Sequence, residues 1–180
     1  MRTKHLSLVT LALLGGVGTF SVAQIKAYTL PEMVAEADGA VFGQIVAQRV
    51  FRVDDPIDGP ELYYTTLTLE GRAIPSGSPV SIEVTYAGGF INEKEGVHNS
   101  EAPSADDVKI GNQVVAFYKW ADDIGGGVSA NALMAAHGGI YRTVAGVSDS
   151  VVLGRGPGYA IERNVKLGDL DKAVRGIKKN

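Results

Sequence analysis

The chain has no cysteine, a single tryptophan and three histidines among its 180 residues. The missing cysteines exclude a disulfide framework, a thiolate zinc site and a cysteine nucleophile together. Neither sign of charge dominates. Lys and Arg number 17 against 20 Asp and Glu, for a formal net charge of −3 and a pI near 5.6. Such a balance lacks the cationic footprint on which nucleic-acid binding depends, so no nucleic-acid partner is expected. Beyond residue 23, no uncharged apolar run approaches the roughly 20 residues of a membrane-spanning helix. The chain also lacks HExxH, a phosphate loop ending in Lys-Ser or Lys-Thr, and a Gly-x-Ser-x-Gly elbow.

What is present begins with an export pattern. Arg2 and Lys4 precede the uncharged stretch LSLVTLALLGGVGTFSV from Leu6 to Val22. Ser21-Val22-Ala23 then places small residues where a signal peptidase inspects the chain, so cleavage is expected after Ala23. The alternative, an uncleaved anchor, is disfavoured by the short span and by Gly15, Gly16 and Gly18 within it. No Cys follows, which excludes a lipoprotein. Without Arg2 and Lys4 the remaining 157 residues carry 15 Lys and Arg against 20 Asp and Glu, a net charge of −5. That length suits one domain, residues 24–180, able to form a core without disulfides. An exported chain without cysteine fits a bacterial periplasmic or secreted protein with no membrane span after cleavage.

Hydrophobic periodicity then predicts a mainly β fold between two helices. Thr29-Leu30-Pro31-Glu32 has the residues of a capping box with proline in the first turn. Leu30, Met33, Val34 and Ala37 fall on one side of the short helix that follows. Leu167, Leu170, Val174 and Ile177 repeat at helical spacing near the C-terminus, with acids early and bases late. Between them, Val80, Ile82, Val84 and Tyr86 alternate with polar residues, as do Tyr63, Thr65, Leu67 and Leu69. Val41–Val53 is β-rich, with Gly43 marking a bend or bulge. Gln113–Trp120 is apolar on both sides, which predicts a central covered strand. Ile140–Val144 and Val151–Leu153 are shorter candidates. Asp54–Pro60, Pro75–Pro79 and Gly125–Gly127 supply turns. The expected architecture is a small OB-like antiparallel barrel or sandwich with a short N-terminal helix and a C-terminal helix.

The succession AEADGAVFGQIVAQRVF, ELYYTTLTLE, SPVSIEVTYAGG and VKIGNQVVAFYKW is similar to a recurrent, largely uncharacterised exported bacterial domain. It resembles an OB-fold-like barrel, netrin-like in outline, over residues 30–175. The resemblance implies fold and export. Netrin-like protease inhibitors depend on a Cys-rich amino terminus, which this chain lacks, so that activity is not implied.

Candidate functional residues concentrate in Gly88–Asp107, a long aperiodic segment of the kind often used for binding. Phe90, Glu93, Glu95, His98 and Glu101 lie in it. Tyr64, on the polar face of its strand, is the aromatic expected to project outward. These six are the candidate binding residues. No catalytic residues, metal ligands or cofactors are assigned. His98 and His137 lack partners at ligand spacing, and Gly154–Gly158 with Arg155 reads as a tight turn around an exposed cation. The expected function is a non-enzymatic binding module of the envelope or extracellular space that contacts a protein or a glycan through residues 88–107. The alternatives are a hydrolase built from dispersed carboxylates and a structural envelope component.

Overall fold

The computed structural model describes residues 27–54 and 61–178. The expected export segment and most of the expected Asp54–Pro60 turn lie outside the described residues. The first helix, α1 (Leu30–Glu36), begins as its sequence dictates. Glu32 donates its backbone N–H to Thr29 Oγ1, while its own carboxylate accepts from the Thr29 N–H at 2.8 Å. Met33 and Val34 are its buried residues.

Five strands close a barrel. They are β1 (Gly39–Val53), β2 (Leu62–Ile74), β3 (Pro79–Ala87), β6 (Gln113–Ala121) and β7 (Ala130–Leu133). Their order is β1–β2–β3–β7–β6, and β6 returns to pair with the first part of β1. All neighbours are antiparallel except β3 and β7, which meet in parallel at Thr85 and Ala132. This is the barrel alternative of the expected architecture, and it is OB-like. The irregularity in β1 falls between Ile45 and Ala47 rather than at Gly43. Gly43 instead faces Gly71 across the β1–β2 ladder. A Cβ on Gly71 would stand 2.1 Å from the Phe42 carbonyl oxygen, so this crossing needs a residue without a side chain.

Between β3 and β6 lies a separate hairpin, β4 (Gly89–Asn92) and β5 (Glu95–Val97). After β7 a 3-10 turn, Ala136–Gly139, leads into β8 (Ile140–Ala145), β9 (Ser150–Val152) and β10 (Val165–Lys166), which extend the sheet outward from β6. The chain ends in α2 (Leu167–Ile177). No side chain of its own caps α2; the Asp149 carboxylate accepts the Gly168 N–H at 2.7 Å and does so from outside the helix. Among the described residues, no helix is long and apolar enough to cross a membrane.

Two cores follow from the parity of β6. Val114 and Ala116 join Val41, Ile45, Leu67, Leu69 and Val84 inside the barrel. Val115 and Phe117 face the other way, onto Met33, Val34, Leu170 and Val174 of the two helices. The doubly apolar reading of this strand therefore has a simple cause: each face packs into its own core.

Candidate functional site

The segment expected to be aperiodic contains regular structure. Residues 89–97 form the β4–β5 hairpin, whose turn is set by Asn92. Its Oδ1 accepts the Lys94 N–H at 3.0 Å and its Nδ2 donates to Glu95 at 3.3 Å. That asparagine was the available signal for a turn. The hairpin is seated on the barrel rim. Thr65 Oγ1 donates to the Gly88 carbonyl at 2.6 Å, and Gly88 N–H donates to Tyr63 O at 2.7 Å.

Residues 99–108 then form a strap that returns to the barrel, pinned at each stage. Asn99 Nδ2 donates to Ala87 O at 3.1 Å, and its Oδ1 accepts the Glu101 N–H at 2.9 Å. Pro103 and Val108 are buried. Asn112 Nδ2 donates to Asp106 O at 2.7 Å. His137 bonds the Glu101 carbonyl through its backbone N–H and through Nδ1, both at 3.0 Å. A carbonyl only accepts, which places a ring proton on Nδ1, and Nε2 shares a hydrogen bond with Tyr159 Oη at 3.0 Å. His137 is delivered there by Ala135 and Ala136, both in the left-handed region with φ of 47° and 49°. Such non-glycine conformations cost energy and persist where surroundings hold them.

Arg155 is not the exposed cation expected from the sequence. Its guanidinium is mostly buried and donates to the carbonyls of His137 at 2.8 Å and Ile140 at 3.1 Å. It also pairs with Asp107 at 3.1 Å and lies over the Tyr159 ring. The strap is thus latched to two glycine-rich segments by residues distant in sequence, a relationship that no local pattern could reveal.

Two clefts flank the strap. The first, about 540 Å³, lies beneath the hairpin and takes in Phe90 and His98 together with Gln48, Thr65 and Tyr86. The second, about 280 Å³, takes in Tyr64 and Glu101 together with Asp123 and Leu133. Tyr86, Asn99 and Ala102 line both. The six candidates therefore separate. Phe90 and His98 share one cleft, and Tyr64 and Glu101 share the other. Glu93 is exposed at the hairpin turn, while Glu95 pairs with Arg52 at 3.5 Å on the surface. Tyr64 does not project outward as expected. It is 6% exposed, stacks on Phe51 and donates its hydroxyl to the Ile124 carbonyl. The β6–β7 turn and the β1 ring cover the face that alternation marked as polar.

The first cleft is electrically quiet. No Asp, Glu, Lys or Arg lines it. Burial pushes the Tyr86 hydroxyl above its ordinary pKa, partly offset by its hydrogen bond with Thr65, so it stays a neutral phenol. His98 belongs to this cleft, whereas His137 lines a separate hollow of about 190 Å³ with Tyr28, Met33 and Tyr159. Among the described residues, no group of three or more His, Asp or Glu side chains comes together to hold a metal ion.

The hairpin above the first cleft carries three apolar side chains in water. Phe90, Ile91 and Val97 are 53%, 45% and 44% exposed. Known protein families, curated proteins and solved structures give no match to this chain.

Proposed function

We propose that this chain is an exported, non-enzymatic binding module of the bacterial envelope or extracellular space. Its contact surface is the β4–β5 hairpin with the cleft beneath it. The observation that supports this reading is the trio Phe90, Ile91 and Val97, left half in water on a hairpin that is pinned to the barrel at both ends. Exposed apolar side chains grouped on one short element point to a contact surface, and a preorganised element has little left to order on binding. The partner class is a protein or a glycan outside the cytoplasm. Export rests on the Arg2/Lys4, Leu6–Val22, Ala23 pattern.

Cross-linking of intact source cells that express the tagged full-length chain tests the proposal. The wild type is compared with a variant carrying Phe90→Ser, Ile91→Ser and Val97→Ser, and with Trp120→Ala as a control outside the hairpin and the cleft lining. The expected result is an extracytoplasmic tag and a cross-linked species lost in the triple variant and kept in the control. A cytoplasmic tag, or a cross-linking profile identical in all three, overturns the proposal.

A further inference from the structure

The cleft beneath the hairpin has a lining that narrows the class of ligand. Resting on the binding-module reading of this surface, we infer that it is a site for a neutral oligosaccharide. A sugar chain presents apolar C–H faces and uncharged hydroxyls. It is held by an accessible aromatic ring together with neutral side chains that have hydrogen bonds to give and accept. The cleft supplies both. The Phe90 ring lines it while remaining half exposed. Gln48, His98 and Ser100 also line it and are exposed, and their side chains make no hydrogen bond among the described residues. An amide and a hydroxyl each both donate and accept, and an imidazole adds a ring N–H donor, which matches the dual character of sugar hydroxyls.

The remaining polar groups of the wall are already committed. Thr65 Oγ1 donates to Gly88 O and bonds the Tyr86 hydroxyl, Asn99 is bonded at both ends of its amide, and Ser104 Oγ donates to Asp107. The unspent groups are therefore a distinct set and not a general property of the rim. A wholly apolar partner seated here would leave Gln48, His98 and Ser100 desolvated and unpaired, which penalises such a complex. A charged ligand would find no counter-ion in the lining. The volume, about 540 Å³, falls within the span of small-ligand sites. Because hairpin and strap are both pinned, little ordering remains to be done on binding.

The test uses the full-length chain, expressed in a bacterial host and purified as the cell processes it. Titration calorimetry and saturation-transfer NMR are run with four neutral hexasaccharides: β-1,4-glucan, α-1,4-glucan, β-1,3-glucan and β-1,4-linked N-acetylglucosamine. Phe90→Ala and Gln48→Ala alter exposed side chains, and circular dichroism confirms that both variants fold. Saturable binding of at least one hexasaccharide is expected, weakened on the order of tenfold by either substitution and unchanged by Trp120→Ala. Binding by none of the four, or undiminished binding by Phe90→Ala, overturns the inference. The cross-linking experiment separates the two claims. A hairpin-dependent partner without any sugar binding removes the oligosaccharide and leaves the module standing, whereas failure of both removes both.

Discussion

His137 holds the carbonyl oxygen of Glu101 twice, through its backbone N–H and through Nδ1, each at 3.0 Å. The ring contact is the part that substitution can remove. His137→Ala leaves the Tyr159 hydroxyl without its ring partner and the strap with one tie fewer. A loss of about 1–2 kcal/mol is expected, together with faster amide hydrogen exchange in residues 99–107. His98→Ala, which breaks no hydrogen bond within the described residues, serves as the control. Equal exchange in the two variants would show that the latch holds nothing.

Arg155 closes the same latch from the other side. Its fork reaches two carbonyls and the Asp107 carboxylate at once, a geometry that lysine cannot reproduce. Arg155→Lys is expected to cost about 1–3 kcal/mol in a urea titration, and Arg155→Ala somewhat more. If Arg155→Lys matches the wild-type midpoint, the charge alone matters and the fork does not.

These two residues mark where the sequence stops being legible. The strands that alternate cleanly, the doubly apolar β6, and the capping box at Thr29 could be read because their signals are local and periodic. Strand β7 could not. Its Ala-Asn-Ala-Leu lacks β-branched residues, and it owes its strand conformation to its neighbours β6 and β3. Tyr64 departs from its expected exposure for a similar reason, since alternation says which residues share a face and not what covers it. The clefts depend on contacts such as Arg155–Asp107, 48 residues apart, and no spacing rule reaches that far.

The facing glycines of β1 and β2 give a sharper test of the barrel. Gly71→Ala places a methyl group 2.1 Å from Phe42 O and 2.5 Å from Gly43 Cα, both backbone atoms with nowhere to go. A loss of about 3 kcal/mol or more is expected, with the thermal midpoint falling accordingly. Gly77→Ala is the contrast. It meets nothing within 4 Å but sits at φ of 78°, so its cost is confined to about 1–2 kcal/mol of backbone strain. Similar losses at the two sites would mean that the ladder yields where Gly43 and Gly71 meet.

Tyr141 makes the fold sensitive to alkali. It is 1% exposed, packs edge-on against Phe117, and its oxygen accepts the Ile161 N–H at 3.3 Å. Burial is the main cause that raises its pKa above the ordinary 10.0. Burial raises Tyr64, Tyr86 and Tyr118 in the same direction. In each case the folded chain keeps its proton at a pH where the unfolded chain has released it. The contribution of each neutral phenol is therefore fully present below pH 10.0 and is lost as pH rises through the higher folded value. Within that window stability falls by about 1.4 kcal/mol per pH unit for each tyrosine still protonated in the fold. Urea midpoints should be flat across mildly alkaline pH and then drop steeply above about pH 10. Tyr141→Phe removes one ionisable group at the cost of the Ile161 contact, so it should start about 1 kcal/mol lower and then decline with a shallower alkaline slope. A variant that declines in parallel with the wild type would show that Tyr141 ionises as readily in the fold as in the unfolded chain.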